Sequence, residues 1–347
     1  MSDVAHLWIR HESRPTERRA PVVPADAAAL VAAGLRVTVE ESPQRVFPIE
    51  EYAAAGCAVT PAGSWVDAPR AAFVVGIKEL PGEPAELAHR HVFFGHAFKG
   101  QPGAAALLGR FARGGGELLD VEYLVDASGR RLAAFGYWAG FVGAALAVLA
   151  FRGRLGGPLT PSTREELEAR LHEPGREPAS LVIGALGRSG RGAVDALAVA
   201  GAAATRWDVA ETRALDRPAL LAHELMVNTV LTTTPVPPFL TPADLDDGAR
   251  RLTVVCDVTA DVGSELNVLP VYSEATTWDD PVRRLREDPP FDLIAIDNLP
   301  SLLPREASTA FSAELTPWLG RLGTGAEPWE RAAAVYREAA FAVPGTD

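Results

Sequence analysis

Lysine is almost missing from this chain. Of its 33 lysines and arginines only Lys78 and Lys99 are lysine, and the other 31 are arginine. Arginine replaces lysine wherever a surface needs only charge. It does not give up its proton, so it cannot replace an amine that must act as a base. A chain this biased that still keeps two lysines on either side of His96 marks residues 78–99 as a candidate acid–base segment.

Cysteine is as scarce. Cys57 and Cys256 are too few for a disulfide framework or a zinc set, so no metal is expected and a reducing compartment, the cytoplasm, is. A basic surplus is absent too. The net charge of -12 leaves nothing to neutralise phosphates, which excludes a nucleic-acid partner. The N-terminal string MSDVAHLWIRHESRPTERRA lacks the apolar stretch of a secretory signal. There is no internal repeat and no low-complexity tail. One uncharged run, residues 132–151, has the length of a membrane span. Its many alanines and glycines make it only modestly hydrophobic, arginines flank both ends, and no second span follows. It is expected to be a buried helix, with Gly136 and Gly140 spaced so that another helix can approach. No membrane partner is expected.

A chain of 347 residues suggests two domains. In the first half, apolar runs (VAHLWIR, LRVTVEE, AAFVVGIKEL, HVFFGHAF, ELLDVEYLV) alternate with helical patterns such as PADAAALVAA and QPGAAALLGRFARGGG. Residues 152–180 read as a polar connection with one surface helix. From Leu181 the alternation resumes with SLVIGALG, TRWDV, ELMVNTVL, RLTVVCDV and FDLIAIDN, and two helices close the chain. Such alternation predicts an α/β fold with largely parallel sheets. Lys78, His96 and Glu122 then fall near the carboxyl ends of strands, where open α/β sheets bind ligands.

A lysine that serves as a base near neutral pH needs its pKa lowered by about three units from about 10.4, at a cost of about 4 kcal/mol. Partial burial and a neighbouring cation, Lys99 or a protonated His96, can supply that, with Glu79 and Glu122 tuning it the other way. A second motif, Gly184-Ala185-Leu186-Gly187-Arg188-Ser189-Gly190, follows an apolar strand and opens a helix. That is the setting in which glycines admit a pyrophosphate and a helix N-terminus supplies N–H groups. The spacing is G-x-x-G-x-x-G rather than G-x-G-x-x-G. Asp208 stands about 20 positions later, where an acid binds a ribose 2′-hydroxyl and favours NAD over NADP. Arg19, Arg130 and Arg131 can grip carboxylates bidentately, although nothing local distinguishes them from the other arginines.

The strings ERRAPVVP, AGSWVDAPR, GIKELP, GHAFKGQPG, GRRLAAFGYWAGFVGAAL, VIGALGRSGRGA, RWDVAET, VVCDVTAD and IDNLPSLLPREAS carry a resemblance. In order, and over essentially the whole length, they resemble the lysine-forming, NAD-dependent saccharopine dehydrogenases, relatives of alanine dehydrogenase. The resemblance implies two Rossmann-like domains with a cleft between them and C-terminal helices that return to the N-terminal domain. It implies a substrate domain of residues 1–134 and 305–347 and a dinucleotide-binding domain of 135–304. It implies reversible oxidation of saccharopine by NAD to lysine and 2-oxoglutarate, with small molecules as the partners.

Carried onto this sequence, the family pattern makes Lys78 the proton acceptor of the redox step and His96 the acid–base group of the hydrolytic step. Arg19, Lys99, Gln101, Arg131 and Phe135 match substrate positions, and Thr259, Ala260 and Asp261 border the substrate. Gly184, Gly187, Arg188, Gly190, Asp208, Thr212, Arg130 and Val258 match cofactor positions, and Ile296, Asp297, Asn298 and Leu299 match a loop lining the cofactor. The chain departs from the family at several points. Ser189 and Thr229 stand where fungal members carry two cysteines, Leu231 replaces an aromatic beside the cofactor, and Asn298 replaces a histidine. Two other readings stay open: an opine-type reductive aminase with a different amino acid, and a non-catalytic NAD-sensing protein.

Overall fold

The computed structural model describes residues 4–342 except 100, 102 and 233. The chain divides into two compact units: Met1–Ala134 with Ala307–Asp347, and Phe135–Glu306.

The first unit is built on a six-stranded sheet. Its strands are β1 (His6–Ile9), β2 (Arg36–Glu40), β3 (Ala58–Thr60), β4 (Phe73–Val75), β5 (Arg90–Phe93) and β6 (Glu117–Asp120). The order is β3-β2-β1-β4-β5-β6, and every pair is parallel. Parallel strands covered on both faces read as continuous apolar runs, and Leu7, Ile9, Val74, Val75, Val92, Phe93 and Leu118 are all buried. Each such side chain stabilises the unit by about 1.5–3 kcal/mol. The strand order reverses between β1 and β4, so the carboxyl ends of those strands form the natural ligand crevice of this sheet.

Two of these strands are shorter than the apolar runs predict. The Gly76 N–H still donates to the Val92 carbonyl at 2.9 Å, but beyond it the N–H groups of Ile77 and Lys78 go to the Glu12 carboxylate instead of the ladder. After Phe93, Gly95 donates to Asp120 and His96 turns into the left-handed region with φ 48°. Both departures lie at the carboxyl ends, so the sheet gives up ladder bonds where the candidate residues sit.

The helices Pro304–Leu319, from Ala307 onward, and Glu327–Ala342 return to this unit, as expected. Polar anchors fix the return. Ser308 and Ser312, both buried, accept hydrogen bonds from the Ala20 and Val23 N–H groups at 2.9 and 3.0 Å. Tyr336 packs edge-on against Phe111 and donates to the Gly116 carbonyl at 3.2 Å.

The second unit has strands β7 (Ser180–Ile183), β8 (Ala204–Trp207), β9 (Leu225–Asn228), β10 (Val254–Asp257), β11 (Arg283–Glu287) and β12 (Pro290–Ile294), in the order β11-β12-β10-β9-β7-β8. All pairs are parallel except β11 with β12. Strand β11, sequence RRLRE, is a charged edge strand. It carries no apolar alternation, which is why its sequence does not announce it.

The uncharged run becomes the helix Gly136–Phe151, buried from Gly140 to Leu149 within the second unit. No helix among the described residues is long and apolar enough to cross a membrane. The run crosses the helix Arg188–Val199 at backbone contact. A Cβ on Gly140 would lie 1.7 Å from the Ser189 carbonyl oxygen, and one on Gly192 would lie 2.0 Å from that of Tyr137. Glycine on both partners is therefore a steric requirement of this crossing.

Candidate active site

The first unit gathers its chemistry on the loops that follow β4, β5 and β6. Glu122, just past β6, is the hub. Its carboxylate accepts a hydrogen bond from Lys99 Nζ at 2.7 Å, and His96 Nδ1 lies 3.8 Å away. Burial would raise the Glu122 carboxyl, but Lys99, Arg131 and His96 together hold it below the usual range, so it is a carboxylate at neutral pH. Gln101 holds the same loop by accepting from the Lys99 N–H at 2.8 Å. Arg131, exposed, forms an antiparallel bridge with Val125 and points its field at Glu122.

Beneath this cluster lies Asp120, fully buried at the end of β6. Its carboxylate accepts from the N–H groups of Gly95 (3.1 Å) and Glu122 (2.9 Å), and His96 adds a third backbone bond. Burial pushes the Asp120 carboxyl up to about 7 against those donors. One buried acid thus ties the loop carrying His96 to the strand end carrying Glu122. For a residue other than glycine, the left-handed φ of His96 costs on the order of 1–3 kcal/mol, and such strain collects at functional sites.

Lys78 follows β4. Its backbone is held by the buried residues Glu12 and Arg10, while Glu17 and Glu79 are the acids that its charge stabilises. Three expected side chains are committed locally. The Arg19 guanidinium, buried, is gripped through Nε and Nη2 by Glu17 at 2.8 and 2.6 Å. Burial would raise the Glu17 carboxyl, but Arg19, with help from Lys78, lowers it to about 2. Glu79, expected to tune Lys78, does feel the Lys78 charge, but its carboxylate is forked by Arg14 at 2.8 and 3.2 Å. Arg130, expected at the cofactor, forms an exposed ion pair with Asp126 at 3.1 Å inside its own turn. Glu12, Glu17 and Asp120 were not singled out from the sequence. The only signals were an acid two residues past a predicted strand end for Glu12, two residues from a candidate arginine for Glu17, and two residues from candidate Glu122 for Asp120.

The second unit presents a dinucleotide-type turn. Gly184, just after β7, has φ 82°, and Gly187 caps the helix that Arg188 opens. A Cβ on Gly190 would lie 2.1 Å from the Gly184 carbonyl oxygen, so the helix start presses directly on the turn. Asp208 follows β8 directly and accepts from the Leu186 N–H at 3.0 Å, which links the acid to the glycine loop. A carboxylate has further lone pairs for a ribose hydroxyl. Thr212 donates to the Asp208 carbonyl at 2.9 Å and fixes the turn after it. The open turn, the helix N-terminus and the acid at the next strand end fit NAD.

Other candidates of this unit fall into two groups. Leu231 is exposed, Asp297 is exposed, and Asn298 sits at φ 72°. Ile296 and Leu299, expected to line the cofactor, instead place their side chains in the core. That segment therefore offers Asp297, Asn298 and backbone. Phe135 precedes the buried helix as its N-cap. Val258 donates its N–H to the Asn228 carbonyl at 2.9 Å. Thr259 gives its hydroxyl to buried Asp257 at 2.7 Å, and Asp257 also accepts from Asn228 and Tyr272. This anchored strand end leads into Ala260, at φ 45°, and half-buried Asp261.

Residues 8–142 match the family described as alanine dehydrogenase/PNT, N-terminal domain. The chain is 38% identical to saccharopine dehydrogenase (NAD(+), L-lysine-forming) of Emericella nidulans, over 98% of each protein. It is 41% identical to the enzyme of the same name from Neurospora crassa, over 97% of each. Among solved structures it resembles an L-alanine dehydrogenase, with TM-score 0.68 and 17% identity over 96% of this chain and 94% of that one. It also resembles a transhydrogenase from Sinorhizobium meliloti, with TM-score 0.66 and 17% identity over 91% of this chain and 94% of that one. At that identity the structural likeness speaks for the fold: two Rossmann-like α/β units.

Proposed function

The chain belongs to the saccharopine dehydrogenase (NAD(+), L-lysine-forming) family, and from that membership we propose that it interconverts L-saccharopine with L-lysine and 2-oxoglutarate. The observation that carries this is identity of 38–41% sustained over nearly the whole of both chains.

NAD, when bound, accepts the hydride from the carbon next to the secondary amine of saccharopine. The turn Gly184–Gly190 and the helix opened by Arg188 would hold its pyrophosphate, and Asp208 would bind the free ribose 2′-hydroxyl that distinguishes NAD from NADP. Lys78 takes the proton of the secondary amine as the hydride departs, which leaves an imine. His96 deprotonates the water that adds to the imine carbon. It returns that proton to the nitrogen to complete the carbinolamine, then takes the carbinolamine hydroxyl proton and delivers it to the nitrogen as the carbon–nitrogen bond breaks. Lysine leaves as the amine, and the carbonyl of 2-oxoglutarate remains. Glu122, held as a carboxylate by Lys99 and Arg131, balances the charge that His96 gains during this exchange. Arg131 and Lys99, both exposed, complement the carboxylates of the substrate. Gln101 completes its surroundings on the first unit, and Thr212, Val258, Leu231 and the 296–299 segment complete those of NAD on the second. We place this activity in the cytoplasm, which the two unpaired cysteines support.

The test is oxidation of NADH with 2-oxoglutarate and a panel of amines. Lysine is expected to be preferred over other amino acids. Equal rates across the panel would sink the lysine assignment.

A further inference from the structure

The segment that leaves β1 carries two charged side chains with no place in the mechanism above. Arg10 and Glu12 are almost completely buried, and their charged ends lie 3.3 Å apart. Burying an ion pair costs several kcal/mol per charge, and apolar residues of the same size often stabilise a protein as well or better. What this pair holds is therefore more informative than its own energy.

It holds Lys78. The two carboxylate oxygens of Glu12 accept the N–H groups of Ile77 (2.7 Å) and Lys78 (3.0 Å). Arg10 donates to the Lys78 carbonyl. The peptide groups on both sides of the Lys78 α-carbon are thus bound by side chains from the neighbouring strand's loop. Arg10 is itself located, since its N–H donates to the Val75 carbonyl at 3.0 Å and its guanidinium lies over Phe93 at 5.7 Å. Its room comes from Gly76. A Cβ there would stand 2.4 Å from Arg10 Nε and 2.6 Å from Nη2.

We propose that Arg10 and Glu12 form a positioning clamp for Lys78, fixing its backbone on both sides so that its amine leaves the sheet in one direction. Gly76 is part of the clamp because any side chain there would push Arg10 out of it. Neither Arg10 nor Glu12 touches the reacting atoms; both act through Lys78. The inference rests on the assignment of Lys78 as proton acceptor.

The scarcity of lysine supplies the test. Reductive 13C-methylation labels only Lys78, Lys99 and the chain N-terminus, so Lys78 can be followed by NMR, with Lys99→Arg identifying the second signal. Glu12→Gln and Gly76→Ala are compared with the unaltered chain, each confirmed as folded by circular dichroism. In both, the Lys78 signal is expected to move in position and to shift its titration by about half a pH unit or more, while Lys99 stays in place. Turnover of saccharopine is expected to fall at least about tenfold with NAD affinity unchanged, as for a misplaced catalytic group. An unmoved Lys78 signal in folded Gly76→Ala overturns the clamp, whatever Glu12→Gln does. A displaced signal in a chain that never turns over saccharopine would instead leave the clamp standing and sink the functional reading.

Discussion

At the scale of single residues, the protein separates groups that do chemistry from groups that hold them. Lys78, His96 and Lys99 occupy loops, whereas Glu12, Glu17 and Asp120 are buried beneath those loops and bind backbone or guanidinium. The loop set was legible in the sequence because two lysines in an arginine-rich chain stand out and because the predicted strands end beside them. The buried acids were not legible. A glutamate two residues from an arginine reads the same whether the pair is solvated or enclosed, and only packing decides. The same limit hid Arg14 as the ion-pair partner of Glu79. Lys78→Met should leave NADH binding, followed by fluorescence, within about twofold of the unaltered chain. It should lower turnover by about 10²–10⁴, the usual worth of a positioned base. Undiminished turnover would remove Lys78 from the redox step.

At the scale of elements, the helix Gly136–Phe151 links packing to cofactor binding. It meets the helix Arg188–Val199 through Gly140 and Gly192, and the second helix opens at the glycine turn. The G-x-x-x-G spacing was visible in the sequence, and so was the buried fate of the run, because alanine and glycine give little transfer energy to lipid. The partner of that spacing was not visible, since residues 140 and 192 are far apart along the chain. Gly140→Val would drive a branched side chain into the Ser189 carbonyl. It should cost about 1–3 kcal/mol of stability. Because Ser189 lies in the first turn of the cofactor helix, it should also weaken NADH binding by about tenfold. A thermal melt and a fluorescence titration read the two effects. A stability loss with unchanged NADH affinity would show that the crossing does not position the turn.

At the scale of the whole molecule, buried titratable groups shape the response to acid. His91 is completely buried among Trp65, Phe93 and Phe111, and neither ring nitrogen has a hydrogen-bond partner. Burial first, then nearby Arg10, holds it far below 6.5. The unfolded chain therefore takes up a proton that the folded one refuses, and His91 costs stability as pH falls below about 6.5. Asp120 works in the opposite direction. Its carboxyl is at about 7 folded and 3.8 unfolded, so folding gains as pH falls between those values. The two contributions offset each other down to about 4.5. Below that, Glu17, at about 2 folded against 4.5 unfolded, loses its contribution. The summed contribution of these three groups should thus be nearly flat from about pH 7 to 4.5 and then decline. His91→Phe should gain on the unaltered chain by at most about 1.4 kcal/mol per pH unit below 6.5. Urea titrations at several pH values measure this, and parallel stability curves for the two chains would refute it.

The sequence by itself determined the class of fold, the chemistry on offer and the cofactor. Periodicity and glycine placement act over neighbouring residues, and amine, imidazole and carboxylate carry their reactivity with them. Tertiary structure decided which of those groups meet. It set Lys99, His96 and Arg131 around one carboxylate, tied Arg19 to Glu17 and Arg130 to Asp126, and turned Ile296 and Leu299 into the core. It also decided that an arginine and a glutamate after the first strand hold the backbone of a lysine more than sixty residues away. Such pairings depend on burial and on parallel strands brought together by long connections, and neither leaves a local mark in the order of residues.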